Sequence, residues 1–262
     1  QLGLIQNKLC KYKEALECYN RIISIKPDYS NAYGMKGRCL IKLQRYEEAI
    51  LCFDQVLSFE PNKVKALFDK ADCLFHLERY KEAIEYFDQV LYLNPDNIGA
   101  YGIKGNCFFN LQKYGEAVQC YDKVLSFVPE NIVALHDKGD SLFQLEKYQE
   151  SIQCFNRILS LDPENIEAYI KKGNSFYHLK KYQEAIPCLN NVISLEPENL
   201  EIYSQRGVLL YKLQRYQKAL EHFDKVLSRE PDHALAFSYK EKCLNELKKK
   251  INFREVLIST SL

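Results

Sequence analysis

A proline recurs along this chain every 34 residues without a slip. The series consists of Pro27, Pro61, Pro95, Pro129, Pro163, Pro197 and Pro231, and Pro187 alone of the eight prolines falls outside it. A fixed period of this length indicates one small structural unit that is repeated and stacked. Because proline cannot continue a helix interior and has no amide donor, each member of the series predicts the end of a helix.

Other positions keep the same residue type in every period. Leucine stands at Leu43 and its equivalents, tyrosine at Tyr46, a small residue at Gly37, alanine or serine at Ala49, and an aromatic residue or leucine at Phe53. Apolar residues also recur at the spacing of an amphipathic helix, twice in each period. The chain is therefore predicted to be a series of helical hairpins that bury their apolar faces only by stacking on one another.

The second repeat shows the predicted hairpin, with one helix over 31–43 and another over 47–59. A glycine inside a helix costs about 1 kcal/mol relative to alanine, so Gly37 is expected to face Ala49 where the two helices approach closely. Asparagine or aspartate near the proline is expected to cap the next helix. These predicted caps are Asn62, Asn97, Asn131, Asn165, Asn199 and Asp232.

In these columns the chain resembles the tetratricopeptide repeat family over nearly its whole length. The resemblance implies an all-α, right-handed superhelical α-solenoid of stacked antiparallel helix-turn-helix repeats, with the first helices on the concave face. Two features depart from the family pattern. The position before the small residue is basic, from Lys36 to Lys240, and we expect these stems to lie along the helices with their heads in water. Pro187 lies inside a predicted helix and is expected to cause a kink.

The period divides the chain into a series of segments. A truncated first repeat over 1–29 suggests a fragment of a longer polypeptide, with Leu2, Leu4 and Ile5 exposed unless further chain covers them. The predicted segments after it are repeats over 30–63, 64–97, 98–131, 132–165, 166–199 and 200–233, a capping helix over 234–247, and a basic linker and tail over 248–262.

Composition limits the possible partners and compartments. The formal net charge is +1, so no overall field would recruit nucleic acid or an anionic membrane. The ten cysteines form no CxxC pair, and all but Cys10 fall into repeat columns, which favours reduced, buried packing residues in a cytoplasmic or nuclear protein. No leader peptide or membrane-spanning run is evident in the sequence.

One stripe of each first helix is expected to face the concave groove. Its last member is nearly always aromatic, while the first two change from repeat to repeat, as a surface that reads a partner segment requires. The predicted groove residues are Arg38, Ile41, Phe68, Asp72, Phe75, Asn106, Phe109, His136, Asp140, Phe143, Asn174, Tyr177 and Tyr211. The alternative is that the aromatic members only pack between successive first helices.

Two acidic pairs, Asp69 with Asp72 and Asp137 with Asp140, recur two repeats apart on predicted first helices. They are either sites for a basic ligand or solvated surface pairs. A clamp for chaperone C-terminal carboxylates, known in some members of the family, is not supported. Gly34, Phe68 and Gly102 stand where the resemblance would place its first lysine.

The leading hypothesis is a non-enzymatic interaction scaffold that holds a peptide segment or helix of a partner protein in the groove. The alternative is a substrate-selecting arm of a larger enzyme, such as an O-linked N-acetylglucosamine transferase. Arrays of that kind carry an asparagine ladder, whereas only Asn106 and Asn174 stand near the corresponding column. RNA binding is disfavoured because pentatricopeptide arrays are typically basic and have a period of 35.

No catalytic, phosphate-binding or metal-binding motif is present in the sequence. The five histidines are scattered, and successive cysteines of a column belong to successive repeats, so they do not converge on one metal. We therefore expect no catalytic residue, no metal and no cofactor.

Overall fold

The computed structural model describes residues 2–260, with the side chains of residues 11–252. Within residues 2–260 the chain forms fourteen α-helices and no strand. The helices are α1 Leu2–Ile25, α2 Ser30–Lys42, α3 Tyr46–Phe59, α4 Val64–His76, α5 Tyr80–Leu93, α6 Ile98–Asn110, α7 Tyr114–Phe127, α8 Ile132–Gln144, α9 Tyr148–Leu161, α10 Ile166–His178, α11 Tyr182–Leu195, α12 Leu200–Lys212, α13 Tyr216–Arg229 and α14 Ala234–Thr260.

The chain divides into two compact units, residues 1–141 and 142–262, with the boundary inside α8. In the first unit each helix from α1 to α7 packs against the next, and in the second unit the same holds from α9 to α14. The predicted class, an all-α solenoid of stacked helical hairpins, is confirmed. Its right-handed superhelical sense stays a prediction.

A tight turn joins the two helices of each complete hairpin. In the second repeat Gln44 has a φ of 59°, the amide of Gln44 donates to the carbonyl of Ile41, and the amide of Arg45 donates to the carbonyl of Leu40. This is the Schellman arrangement, in which the left-handed residue is most often glycine. Residues with the same positive φ stand at Glu78, Gln112, Glu146, Lys180 and Gln214. Each of them reverses the chain at the expense of local backbone strain.

The small-residue column leaves space for an aromatic ring. Ala49, the expected partner of Gly37, was therefore the wrong one. A Cβ added to Gly37 would lie 2.7 Å from Cζ of Phe53, which is fully buried. Ala49 is also completely buried. In the third repeat the equivalent residues are Ala71 and Phe87, and both side chains are completely buried. The column is thus limited to very small residues by ring packing.

Side-chain caps form at four of the six predicted positions, with Asn97 as the clearest case. Its Oδ1 accepts from the amide of Ala100 at 3.0 Å. The same bond is made by Asn131, Asn165 and Asn199. The caps predicted at Asn62 and Asp232 were wrong. The residue just before each of these helices is one position later, at Lys63, which makes no side-chain cap, and at His233, whose Nδ1 accepts from the amide of Ala236.

Both ends of the chain are single long helices. Helix α1 runs without a break over the residues of the truncated repeat, and the side chains of Leu2, Leu4 and Ile5 lie outside those described. Helix α14 continues to Thr260, past position 247, where the sequence suggested a linker. Lysine favours a helix, and no glycine or proline follows Pro231, so nothing in the local sequence stops α14. Residues 261 and 262 lie outside the described chain.

Pro187 lies within α11, which is one helix over Tyr182–Leu195. A proline at this place removes one intrahelical hydrogen bond. The kink expected from the sequence stays a prediction.

Candidate interaction surface

The first helices of successive hairpins contact one another directly. Helix α2 meets α4 and α4 meets α6 in the first unit, and α12 meets α14 in the second. Within each unit the first helices therefore lie along one side of the stack. We call it the inner side, because the groove stripe was predicted there.

A cleft opens on this side of the first unit, with a volume of about 210 Å³. We call it the acidic cleft, and it is lined by Phe75, Asn106, Phe109, Asn110, Tyr121, Asp137 and Asp140. Helices α4, α6 and α8 contribute residues, with Tyr121 of α7 behind them. The cleft combines two phenyl rings with two carboxylates, so it offers both apolar area and negative charge.

Hydrogen bonding fixes the back of the acidic cleft. The hydroxyl of Tyr121 donates to Oδ1 of Asn106 at 2.7 Å, and the ring of Tyr121 is only 2% exposed. Burial raises the pKa of Tyr121, and the nearby carboxylate of Asp137 raises it further. The phenol is therefore neutral and holds the amide of Asn106 against the wall of the cleft.

The acidic pair of the third repeat is engaged within the protein itself. Nε of Arg38 donates to Oδ2 of Asp69 at 2.8 Å, and the side chain of Asp69 is 17% exposed. Asp72 lies 3.8 Å from Nε2 of His76, and burial raises the pKa of the Asp72 carboxyl. Both carboxylates of this pair therefore lie close to basic side chains of the protein itself. Arg38 also lines a second cleft, of about 280 Å³, with Lys63.

The second unit has a larger and more apolar cleft of about 340 Å³. We call it the apolar cleft, and it is lined by Phe143, Gly173, Asn174, Tyr177, His178, Leu189, Gln205, Val208, Leu209 and Leu235. Asn174 and Gln205 bring side-chain amides to a wall that is otherwise mostly apolar or aromatic. Such a lining suits an extended chain, whose backbone needs hydrogen-bond partners while its side chains need apolar area.

The aromatic members of the stripe also pack within their own repeats. Phe109 meets Tyr114 edge to face across the hairpin turn, with ring centroids 5.3 Å apart. The equivalent pairs are Phe75 with Tyr80, Phe143 with Tyr148, Tyr177 with Tyr182 and Tyr211 with Tyr216. Each ring thus stabilises its turn and presents its remaining area to the inner face. The alternative, in which the aromatic residues pack only between successive first helices, does not account for this contact across the turn.

The structure brings part of the predicted stripe together. Phe75, Asn106, Phe109 and Asp140 meet in the acidic cleft, and Phe143, Asn174 and Tyr177 meet in the apolar cleft. Ile41, Phe68, Asp72, His136 and Tyr211 line none of the three clefts described above. Phe68 instead packs edge to face on Phe87 at 5.6 Å.

Several lining residues were not among the predicted set. Tyr121 stands in the buried aromatic column, and its single difference from Phe53, a hydroxyl group, is the signal that could have found it. Gln205 and Leu235 carry no comparable signal in the sequence. They line the apolar cleft together with Asn174 and Tyr177 of α10, a placement that only the packing of the hairpins decides.

Four members of the basic column pair with carboxylates, so for these four the expectation that their heads lie simply in water was wrong. Nζ of Lys70 donates to Oδ1 of Asp54 at 2.5 Å and to the hydroxyl of Tyr86 at 2.6 Å, and Lys70 is only 9% exposed. Burial alone would lower the pKa of Lys70, but these two bonds raise it above its ordinary value. Equivalent ion pairs join Lys104 with Asp88, Lys138 with Asp122, and Lys240 with Asp224.

Cysteines of the core columns behave as packing residues. Burial raises the pKa of Cys73 and of Cys107 to about 12. A thiol with so high a pKa is neither a nucleophile nor a metal ligand at neutral pH. Among the described residues no group of His, Cys, Asp and Glu side chains is arranged to hold a metal ion.

Comparison with known families gives matches along most of the chain. Two models described as tetratricopeptide repeat match residues 8–67 and 200–233, and one described as TPR repeat matches 139–180 and 173–214. A model described as anaphase-promoting complex, cyclosome, subunit 3 matches residues 46–124. No curated protein sequence matches the chain.

Solved structures share the fold at low sequence identity. The C-terminal part of a TPR repeat-containing protein from Cytophaga hutchinsonii is 17% identical, with a TM-score of 0.77 over 90% of this chain and 96% of that one. YrrB, described as a TPR protein with an unusual peptide-binding site, is 24% identical, with a TM-score of 0.63 over 72% of this chain and 97% of that one. MamA from Desulfovibrio magneticus RS-1 is 22% identical, with a TM-score of 0.61 over 65% of this chain and 96% of its own.

The stacked hairpins and the clefts of the inner face define a helical-repeat scaffold for protein interaction. The family matches identify the scaffold: the chain belongs to the tetratricopeptide repeat family. Repeat families of this kind are typically non-enzymatic. No helix in the described part of the chain is long and apolar enough to cross a membrane.

Proposed function

We propose that the chain is a non-enzymatic scaffold whose first helices bind an extended peptide segment of a partner protein. The single observation that carries the proposal is that members of the varying stripe converge in clefts within both units, where aromatic area and polar side chains lie together. The repeated columns build the hairpins, so this varying stripe is the part of the repeat that is free to select a ligand.

The apolar cleft supplies the two kinds of contact that such a segment needs. The side-chain amides of Asn174 and Gln205 each provide a donor and an acceptor for a peptide backbone. Tyr177 and Val208 provide apolar area for a side chain of the ligand. In the first unit, Phe75 and Phe109 provide the apolar area and Asn106 provides the side-chain amide.

A selection of binding peptides tests this proposal. The full chain is immobilised, and a random-peptide phage library is selected on it. The peptides obtained are then synthesised, and their Kd is measured by fluorescence anisotropy. In the double variant Asn174→Ala/Gln205→Ala we expect affinity for peptides that occupy the apolar cleft to fall at least about tenfold, since two hydrogen bonds to the backbone are lost.

The matched control is Gln149→Ala/Gln153→Ala, which removes two exposed side-chain amides from α9. This control should bind like the unmodified chain. Thermal unfolding of both double variants shows that the hairpins are intact. Failure to select any peptide, or equal loss of affinity in the control, would contradict the proposal.

A further inference from the structure

We propose that the acidic cleft binds the side chain of an arginine carried by the partner segment. This inference rests on the proposed function, since it concerns a peptide bound along the first helices. It goes further by naming the residue type that the first unit recognises.

Within the chain itself, a guanidinium already binds a carboxylate at the equivalent position two repeats earlier. Arg38 of α2 reaches across to α4 and donates from Nε to Oδ2 of Asp69 at 2.8 Å. The arginine is 35% exposed in its side chain and the aspartate 17%, so the pair lies at the inner surface rather than in the core. A carboxylate in this column is thus placed to receive an arginine that approaches from the groove side.

Two repeats later the same two columns hold Asn106 on α6 and Asp137 on α8. The carboxylate is kept, but the arginine is replaced by a shorter and uncharged side chain. The volume of about 210 Å³ that opens there has both residues in its lining. Asp137 is 31% exposed in its side chain, nearly twice the value for Asp69. The position that Arg38 fills in its own repeat is therefore open beside Asp137.

The residue of the aromatic column also differs between the repeat of Arg38 and the repeat of Asn106. Phe53 occupies the aromatic column next to Arg38, whereas Tyr121 occupies it next to Asn106. The hydroxyl of Tyr121 donates to Oδ1 of Asn106 at 2.7 Å and holds that amide at the back of the cleft. The oxygen of Asn106 is therefore engaged within the protein, and this short side chain leaves space beside Asp137.

The remaining lining favours arginine over other side chains. Phe75 and Phe109 are parts of the same cleft, and a planar guanidinium binds favourably against phenyl rings while its N–H groups reach a carboxylate. His136 also lies at the site, with its Nδ1 3.6 Å from Oδ1 of Asp137 and 4.0 Å from Oδ2 of Asp140. The side chain of Asp137 keeps 31% of its surface exposed beside this imidazole, so a guanidinium can reach its carboxylate.

The test uses peptides from the random library selected on the full chain. We expect arginine to be enriched among them. Replacing that arginine by citrulline, which has the same shape but no charge, should raise the Kd roughly 10- to 100-fold. The variant Asp137→Asn should bind the arginine and citrulline peptides alike, while Asp96→Asn, which removes an exposed carboxylate from a loop, should keep the difference.

Two further variants use the internal precedent. Asn106→Arg/Tyr121→Phe reproduces the arrangement around Arg38 and Phe53, so it should fill the cleft and abolish the preference for arginine over citrulline. Arg38→Asn removes the internal arginine from Asp69 and should create a second site for the arginine peptide. Thermal unfolding confirms that each variant is folded.

The outcomes separate this inference from the proposed function. Selected peptides that lack arginine enrichment but lose affinity in Asn174→Ala/Gln205→Ala would overturn the inference and leave the proposed function standing. Self-association of the chain that disappears in Asn106→Arg/Tyr121→Phe would overturn it as well, because a second copy would then be the occupant. Failure to select any peptide would overturn both.

Discussion

Lys70 binds Asp54, the residue sixteen positions before it, through a hydrogen bond of 2.5 Å between Nζ and Oδ1. The contact joins the first helix of one hairpin to the second helix of the hairpin before it. Lys70 also donates to the hydroxyl of Tyr86 at 2.6 Å in its own hairpin. One buried ammonium thus ties three helices together, and the column of lysines repeats the Lys–Asp part of this link.

Replacing Lys70 should destabilise the chain more than replacing Lys138, a more exposed lysine of the same column. In Lys70→Ala the hydroxyl of Tyr86 and the carboxylate of Asp54 lose a charged partner, and we expect a cost of about 1–3 kcal/mol. In Lys138→Ala the lost pair is more exposed, with Asp122 52% exposed in its side chain, so a cost below about 1 kcal/mol is expected. Urea unfolding of both variants gives the comparison, and equal losses would contradict the role assigned to burial.

Glycine at the hairpin turn should stabilise the protein. Gln44 holds a φ of 59°, which strains any residue with a Cβ, so Gln44→Gly should raise the unfolding free energy by roughly 0.5–1 kcal/mol. The matched control is Gln55→Gly on the exposed face of α3, which should lower it by a similar amount because glycine disfavours a helix. Thermal unfolding followed by circular dichroism measures both shifts, which should have opposite signs.

Two glycines of the small-residue column should respond differently to alanine. At Gly173 a new Cβ would lie 3.5 Å from Cβ of Cys188, an ordinary contact, so the helix propensity of alanine should add about 0.5–1 kcal/mol. At Gly207 the new Cβ would lie 2.5 Å from Cε1 of Phe223, which is fully buried and must move. Gly173→Ala should therefore unfold at a higher temperature than the unmodified chain, and Gly207→Ala should unfold below Gly173→Ala. The reverse order would show that the ring does not limit this column.

His222 should make the stability of the chain depend on pH in the acidic range. Burial lowers its pKa to about 4 in the folded chain, and the charges of Arg206 and Lys225 add to the effect. The unfolded chain takes up the proton near the ordinary value of 6.5, so the stabilisation is present above that pH and is lost as the pH falls toward 4. His222→Cys introduces the residue that stands at the equivalent Cys188.

The measurement is the Tm of both proteins between about pH 7 and pH 5. We expect the Tm of the unmodified chain to fall further over this range than that of His222→Cys. Parallel pH profiles would show that this histidine keeps its ordinary protonation in the folded state.

Thiol labelling should separate buried from exposed cysteines. Cys73 and Cys107 have pKa values near 12 because they are buried, whereas Cys18 is exposed. A short pulse of N-ethylmaleimide near pH 8, followed by peptide mass spectrometry, should modify Cys18 and leave the other two unmodified. All three should react in denaturant. Rapid labelling of Cys73 in the folded chain would contradict its assignment as a packing residue.

The candidate site could be predicted from the sequence only in part. Phe109, Asn106 and Tyr177 follow from helical periodicity, because three positions at i, i+4 and i+7 share a face of any helix. Gln205 and Asp137 line the same clefts from neighbouring repeats, and their placement depends on how far each hairpin is rotated against the next. The proposed arginine site therefore depends on tertiary packing, which places Asn106 and Asp137 in the lining of one cleft.

The repeat, the two helices of each hairpin and the residues of its columns can be read from the sequence, because periodicity and proline act through local backbone geometry. Tertiary packing sets which atoms meet. It placed the ring of Phe53 rather than Ala49 against Gly37, joined Lys70 to Asp54, and held Asn106 with the hydroxyl of Tyr121. Such contacts depend on side-chain reach and on the angle between helices, and both are fixed only when neighbouring hairpins pack together.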